Sequence, residues 1–237
     1  MDMWRVLGPF LIVLSVFSGC SDAEMPGISV FSVHSDLNLG QDGWDADFTG
    51  YPASAEDSIA YELKFDYTTL PDNLGGKGLM LSGKNIDGHL FMFIKNKVTG
   101  LAPNTEYSLI FEVRAASNAT TDEDTDGSPG SDVFLKAGAS STEPQKIIAN
   151  GNCELNLDKG LTASSAGANM IILGNIAANP ATSYNYIQRS NSTYNAPFIA
   201  RSDSNGELWL IIGTDSAYTG KTTIYIRQVD VIFTVPK

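Results

Sequence analysis

From Ile28 onward the apolar residues of this chain fall mostly at every second position in short runs, and Gly, Asn, Asp or Pro separates one run from the next. A period of two places successive side chains on opposite faces of a pleated strand, so this pattern buries one face of many short strands and leaves no helical stripe. The clearest strands are expected at Ile59 to Tyr67, Leu90 to Val98, Tyr107 to Ala115, Val133 to Ala137, Met170 to Ile176, Leu208 to Ile212 and Thr223 to Phe233. So many strands with turn residues between them imply an all-β protein, an antiparallel β-sandwich. With 43% hydrophobic residues the chain can fill a sizeable core. No internal repeat or linker divides residues 28–237, which are expected to form a single domain.

Two runs are apolar on both strand faces: Leu90-Phe91-Met92-Phe93-Ile94 and Leu208-Trp209-Leu210-Ile211-Ile212. Such runs belong to central strands covered on each side. One face meets the core, and the other needs a loop or a ligand over it. On this reading Trp209 is a core residue.

Residues 1–19 differ from everything after them. Arg5 precedes an apolar stretch from Leu7 to Phe17, and small residues follow at Ser18 and Gly19. The stretch is broken by Gly8, Pro9 and Ser15 and falls well short of the roughly 20 apolar residues of a membrane-spanning helix. This is the anatomy of an export signal. Phe17-Ser18-Gly19-Cys20 resembles the lipobox of bacterial lipoproteins, with Phe17 where that family prefers Leu. The resemblance implies lipidation of Cys20, a short tether over 20–27 and anchoring in the cell envelope. Ser21 stands where Asp marks retention in the inner membrane, so the outer membrane is the expected location. Ordinary secretion, with Cys20 removed or left as a free thiol, is the alternative.

Diverting Cys20 into a lipid leaves Cys153 without a partner, so no disulfide holds the fold and a buried thiol is expected. With two His and no Cys-x-x-Cys pair, a zinc site has little to be built from. The formal charge of −12 disfavours nucleic acid and anionic headgroups as partners, because both reward clustered Lys and Arg. Oligomeric state has no signature here.

Gly100-Leu101-Ala102-Pro103-Asn104-Thr105-Glu106-Tyr107, leading into a strand, resembles a segment of galactose-binding-like jelly rolls and carbohydrate-binding modules. The run Thr223 to Val229 is similar to their closing strand, with Arg227 and Gln228 where that family carries an acidic pair. The resemblance implies a jelly-roll-like sandwich that binds carbohydrate, without the family's structural calcium at that pair.

Several local patterns suggest chemistry. Asp122-x-Asp124-x-Asp126-Gly127 is the start of a calcium loop, in which alternating carboxylates wrap a hard cation and Gly permits a sharp turn. An EF-hand would need Glu at the position of Val133, so Asp132 is the candidate fourth ligand, and a solvated acidic loop is the competing reading. Gly78 to Asn85 has the glycine and lysine spacing of a P-loop but lacks the terminal hydroxyl, so Gly83 and Asn85 are read as turn formers with Lys84 exposed. Glycans are gripped by aromatic faces beside carboxylates and amides. Trp44 with Asp45 and Asp47 offers that mixture, as does the Asn-rich segment holding Tyr184, Tyr186 and Tyr194. For Trp44 a ring that anchors its loop in the core is the favoured reading over ligand contact.

Catalytic signatures are scarce. There is no Gly-x-Ser-x-Gly elbow and no His-Glu-x-x-His; His34 beside Asp36, and His89 at a strand head, are isolated. The expectation is therefore a non-enzymatic binding lipoprotein, with carbohydrate as its ligand. The alternatives are a calcium-stabilised structural or adhesive envelope protein, and a glycoside hydrolase using a carboxylate pair that the sequence does not locate.

Overall fold

The computed structural model describes residues 30–71, 73–123, 127–192 and 197–236. In chain order the elements are β1 (Val30–Asp36), β2 (Asp45–Thr49), β3 (Tyr51–Pro52), α1 (Ala55–Ala60), β4 (Lys64–Thr69), β5 (Lys77–Lys84), β6 (Phe91–Val98), β7 (Glu106–Ser117), β8 (Val133–Ser140), β9 (Lys146–Ala149), β10 (Asn152–Leu155), β11 (Met170–Asn175), β12 (Asn185–Ser190), β13 (Phe198–Arg201), β14 (Leu208–Ser216) and β15 (Lys221–Thr234).

They form an antiparallel β-sandwich of the jelly-roll kind. A large sheet of seven strands runs β12-β7-β15-β5-β4, with β1 also paired to β15 and β13 to β7. A narrow sheet of five strands runs β11-β8-β14-β6-β2, and β3, β10 and β9 make a separate three-stranded ribbon. The long strands β7 and β15 pair from Ser108↔Thr234 to Ala116↔Tyr225, with a register shift at Arg227. Along them every second residue is driven inward: Leu109, Phe111, Val113 and Ala115 on β7, and Val229, Val231 and Phe233 on β15. Across the gap stand Met92 and Ile94 of β6, Leu135 and Ala137 of β8, and Leu210 and Ile212 of β14. Full burial of each large apolar side chain contributes about 1.5–3 kcal/mol, so this one interface dominates the stability of the domain.

One expected strand needs correction. Residues 59–67 do not form a continuous strand; α1 supplies a short helical stretch, and the chain extends only from Lys64. Tyr61 and Glu62 donate backbone N–H groups to the carbonyls of Ser58 and Ile59, and Glu62 adopts φ 47°, a left-handed turn conformation that ends the helix. The alternation Tyr61, Leu63, Phe65, Tyr67 has the period of a strand, yet its first residue reaches the core from a turn. Gly78 to Lys84 lie in strand β5, so Gly83 is a buried strand residue and not a turn former; Asn85, just past the strand, is the turn former expected, its Oδ1 accepting from the backbone N–H groups of Gly88, His89 and Leu90. Cys153 is buried, as expected, and free.

Candidate functional site

The outer face of the narrow sheet positions the site. Phe91 and Phe93 alternate with the inward-facing Met92 and Ile94, and with Met170 and Ile211 they make a second apolar cluster. That cluster is the second face demanded by the doubly apolar runs, and its cover comes from the chain itself. Between β8 and β11 the segment 141–169 folds back across the sheet, carrying β9, β10 and a compact loop. Leu155 packs on the cluster. Lys95 ties the leading edge down through Glu143 at 2.6 Å and the Pro144 carbonyl at 3.0 Å. Farther along, Lys136 bonds to the carbonyls of Lys159, Thr162 and Ser165.

The cover leaves the two ends of the sheet open. At one end lies Trp209, paired in register with Lys97 and Ser140. It is half-buried, with the ammonium groups of Lys95 and Lys97 at 5.6 and 5.2 Å from the ring. The expectation of a core Trp209 is therefore corrected: its strand is apolar on both faces, but the cover stops short of this row.

At the other end the cover and the sheet rim enclose an open cleft of about 420 Å³. It is lined by Thr49, Gly50, Asp87 and His89, by Asn152, Glu154 and Leu155 of β10, which is bonded alongside through Gly50 N–H to the Cys153 carbonyl at 2.7 Å, and by Leu157 to Leu161. Gly50 is required here. It takes φ +78°, and a side chain would place a Cβ 1.9 Å from the His89 carbonyl oxygen. That close approach brings the end of β2 against the 85–90 turn.

The cleft's polar groups divide into two sets. Asp158 is engaged: its carboxylate accepts the backbone N–H groups of Gly160 at 2.9 Å and Ala168 at 2.8 Å, and these bonds hold its pKa below the ordinary aspartate value. Lys159 is engaged too, donating to Asp215 at 2.7 Å. By contrast the side chains of Asn152 and Glu154 and the ring of His89 have no hydrogen-bond partner among the described residues, and Asp87 accepts only the backbone N–H of His89 at 3.3 Å. Thr49 Oγ1 is buried and unpartnered. Two carboxylates with little of their hydrogen-bonding capacity spent, an amide and an imidazole beside leucine residues can accept and donate to a polyhydroxylated ligand. No group of three His, Cys, Asp or Glu is placed to hold a metal ion among the described residues. Sequence reading named none of these cleft residues as ligand contacts, because their proximity comes from the fold-back of 141–169.

The expected site residues do not form one site. Trp44 is only 2% exposed and donates its indole N–H to Ser35 Oγ at 3.0 Å, so it anchors the β1–β2 loop and presents no face to a ligand. Asp45 and Asp47 stand on the outer face at the β2 edge, where Asp47 pairs with Lys146 at 2.7 Å. Tyr184 and Tyr186 lie on the outside of the large sheet, across the sandwich from them. Tyr184 packs edge-on against Tyr225 with ring centroids 5.3 Å apart, and burial raises its phenol pKa. Tyr186 lies under the Arg114 guanidinium, 4.0 Å from its ring centre. Tyr194 is outside the described residues, as are Cys20, Asp124 and Asp126. Of the proposed calcium loop, Asp122 is exposed, and Asp132 caps a turn by accepting the Ser128 backbone N–H at 2.8 Å. His34 pairs with Asp230 at 2.5 Å, and Asp36 with Arg227, so those two do not act together.

No family model and no curated protein matches the sequence. Among solved structures the chain is similar to a carbohydrate-binding module studied for specific mannan recognition, with 10% identity, a TM-score of 0.38, and coverage of 86% of this chain and 98% of that one. A putative sugar binding protein from Bacteroides thetaiotaomicron gives 11% identity and a TM-score of 0.38 over 81% of this chain and 90% of the other. The CBM22-1–GH10 modules of a Clostridium thermocellum xylanase, complexed with xylohexaose, give 12% identity and 0.39 over 86% of this chain, which spans only 28% of that chain's length. Likenesses this distant carry no argument about function, which rests on the residues of this chain.

Proposed function

We propose that this chain is an exported, lipid-anchored, non-enzymatic carbohydrate-binding β-sandwich whose saccharide site is the cleft between β10, the 85–90 turn and the loop 157–161. One observation carries the reading: four polar side chains, Asp87, His89, Asn152 and Glu154, line a cleft of small-molecule size with their hydrogen-bonding capacity almost unspent, beside Leu155, Leu157 and Leu161. Sugar hydroxyls are donors and acceptors at once, which suits carboxylates beside an amide. Asp158 is tied to two backbone amides and held ionised, so it is not available as a proton donor to a glycosidic oxygen.

The test is calorimetric titration of the full chain with neutral oligosaccharides of the mannan, xylan and glucan types, with product analysis alongside. Binding without cleavage is expected. Glu154→Ala should weaken it about tenfold or more, the consequence of losing a hydrogen bond to a charged group, about 1.5–3 kcal/mol. Trp209→Ala, at the far end of the sheet, should leave affinity unchanged. Cleavage products would turn the reading towards a hydrolase, and indifference to Glu154→Ala would remove the cleft from it.

The proposed anchor rests on the sequence around Cys20. One acyl chain holds a protein to a membrane weakly, whereas two or more anchor it stably. Expressed in a lipoprotein-processing bacterium, the chain should partition into detergent, and Cys20→Ser should move it to the aqueous phase.

A further inference from the structure

Lys136 and Asp215 are the buried charged residues among those described, and both face outward from the narrow sheet, beneath the cover. The Lys136 ammonium has three N–H bonds to give and four oxygens around it: the carbonyls of Lys159, Thr162 and Ser165 at 2.8, 3.0 and 2.8 Å, and Asp215 Oδ2 at 2.8 Å. Three carbonyls of one short loop turn inward to a common point, where most exposed loops turn theirs to water. The backbone is shaped for this. Gly160 adopts φ +99° with no room for a Cβ, which would lie 2.2 Å from the Ser165 carbonyl oxygen. Asp158 and Asn169 close the loop's ends by exchanging hydrogen bonds, Asn169 N–H to the Asp158 carbonyl at 3.0 Å and Asp158 N–H to Asn169 Oδ1 at 3.0 Å. Burial lowers the Lys136 pKa, while Asp215 opposes that shift.

An all-oxygen set of backbone carbonyls and one carboxylate is the ligand set of a hard cation. We propose that residues 158–169 form a cation-binding loop whose cation is the chain's own Lys136 ammonium, and that the cage accepts a free monovalent cation once that ammonium is removed. The spacing of 2.8–3.0 Å is longer than the roughly 2.3–2.6 Å of calcium–oxygen bonds and suits an ion of ammonium or potassium size. Charge points the same way. Asp215 already carries a second ammonium, Lys159 at 2.7 Å, so a single positive charge restores the balance that Lys136 provides. The built-in cation keeps Leu157 to Leu161, one wall of the cleft, in shape without any supply of metal.

Amide hydrogen exchange across 158–169 in the full chain tests this. In the wild type, exchange there should be the same in potassium, ammonium and tetramethylammonium chloride at equal ionic strength. In Lys136→Ala it should be at least tenfold faster in tetramethylammonium, which is too large for the cage, and should slow again in potassium or ammonium. Lys136→Met, whose thioether fills the cage without charge, should exchange fast in every salt. The proposal is overturned by wild-type protection that depends on the cation, by a Lys136→Ala loop that is indifferent to it, or by potassium rescue of Lys136→Met. If Lys136→Ala does not stay folded, its refolding yield in potassium against tetramethylammonium takes the place of exchange, and equal yields overturn the proposal.

Discussion

At the residue scale, single side chains in this protein are fixed by which face of a strand or loop they land on. Trp44 is in a loop yet buried, and Trp209 is in an apolar strand yet only partly buried. Trp44→Ala removes a packed indole and its bond to Ser35, and should cost about 3–5 kcal/mol in urea unfolding, with saccharide affinity of the folded protein unchanged. Asp158 gives a pH dependence. Its folded-state pKa is depressed below 3.8 by the Ala168 and Gly160 amides, so its stabilising contribution is complete above the unfolded-state value and disappears as pH falls through the folded one. Exchange of the Gly160 and Ala168 amides should therefore accelerate, relative to its intrinsic rate, only in acid below about pH 3.8, and Asp158→Asn should abolish that acid step. Sequence pattern favoured a loop-anchoring core position for Trp44, which the structure shows, but placed Trp209 wrongly in the core. A run apolar on both faces shows that a cover is needed, and not how far along the strand the cover extends.

At the element scale, the segment 141–169 decides what the narrow sheet can present. It pins Lys95, covers Phe91 and Phe93 through Leu155, and leaves the cleft and the Trp209 end open. Leu155→Ala should loosen it by about 1–2 kcal/mol, since a half-buried side chain loses part of its transfer free energy, and limited proteolysis should then cut within 141–169 first. Asp132→Ala should free the 127–132 turn, whose Ser128 N–H it caps, and cost about 1 kcal/mol in unfolding. The central strands were legible: β7, β8, β14 and β15 include the segments expected of them and β6 all but Leu90, β7 and β15 because they alternate over a length that no helix imitates, β6 and β14 because their short runs are apolar on both faces. The strands β2, β9, β10 and β13 were not, being short and edge-like with mixed composition. The cleft rests on β2 and β10, so it was hidden with them.

At the scale of the whole molecule, the core lies between the large and narrow sheets, and the proposed binding cleft lies at the end of the narrow sheet beside its cover. The fold class was readable from period and turns alone. The site was not, because His89 and Glu154 are 65 positions apart in the chain and meet only through the fold-back of 141–169. A net charge of −12, with three carboxylates in the cleft wall, also predicts a preference. Neutral oligosaccharides should bind with little salt dependence, and polyuronates should bind weakly, gaining affinity as salt screens the repulsion. Calorimetry at low and high ionic strength reads this directly.

The central claim is that a saccharide occupies the cleft and not the tryptophan end or the tyrosine face. Amide chemical-shift mapping of the full chain during titration with neutral oligosaccharides tests it most directly. The account predicts shifts confined to Thr49, Gly50, 87–89, 152–155 and 157–161. Shifts clustered on Trp209 and Lys97, or on Tyr184 and Tyr186, or no saturable shift with any of these saccharides, would contradict it.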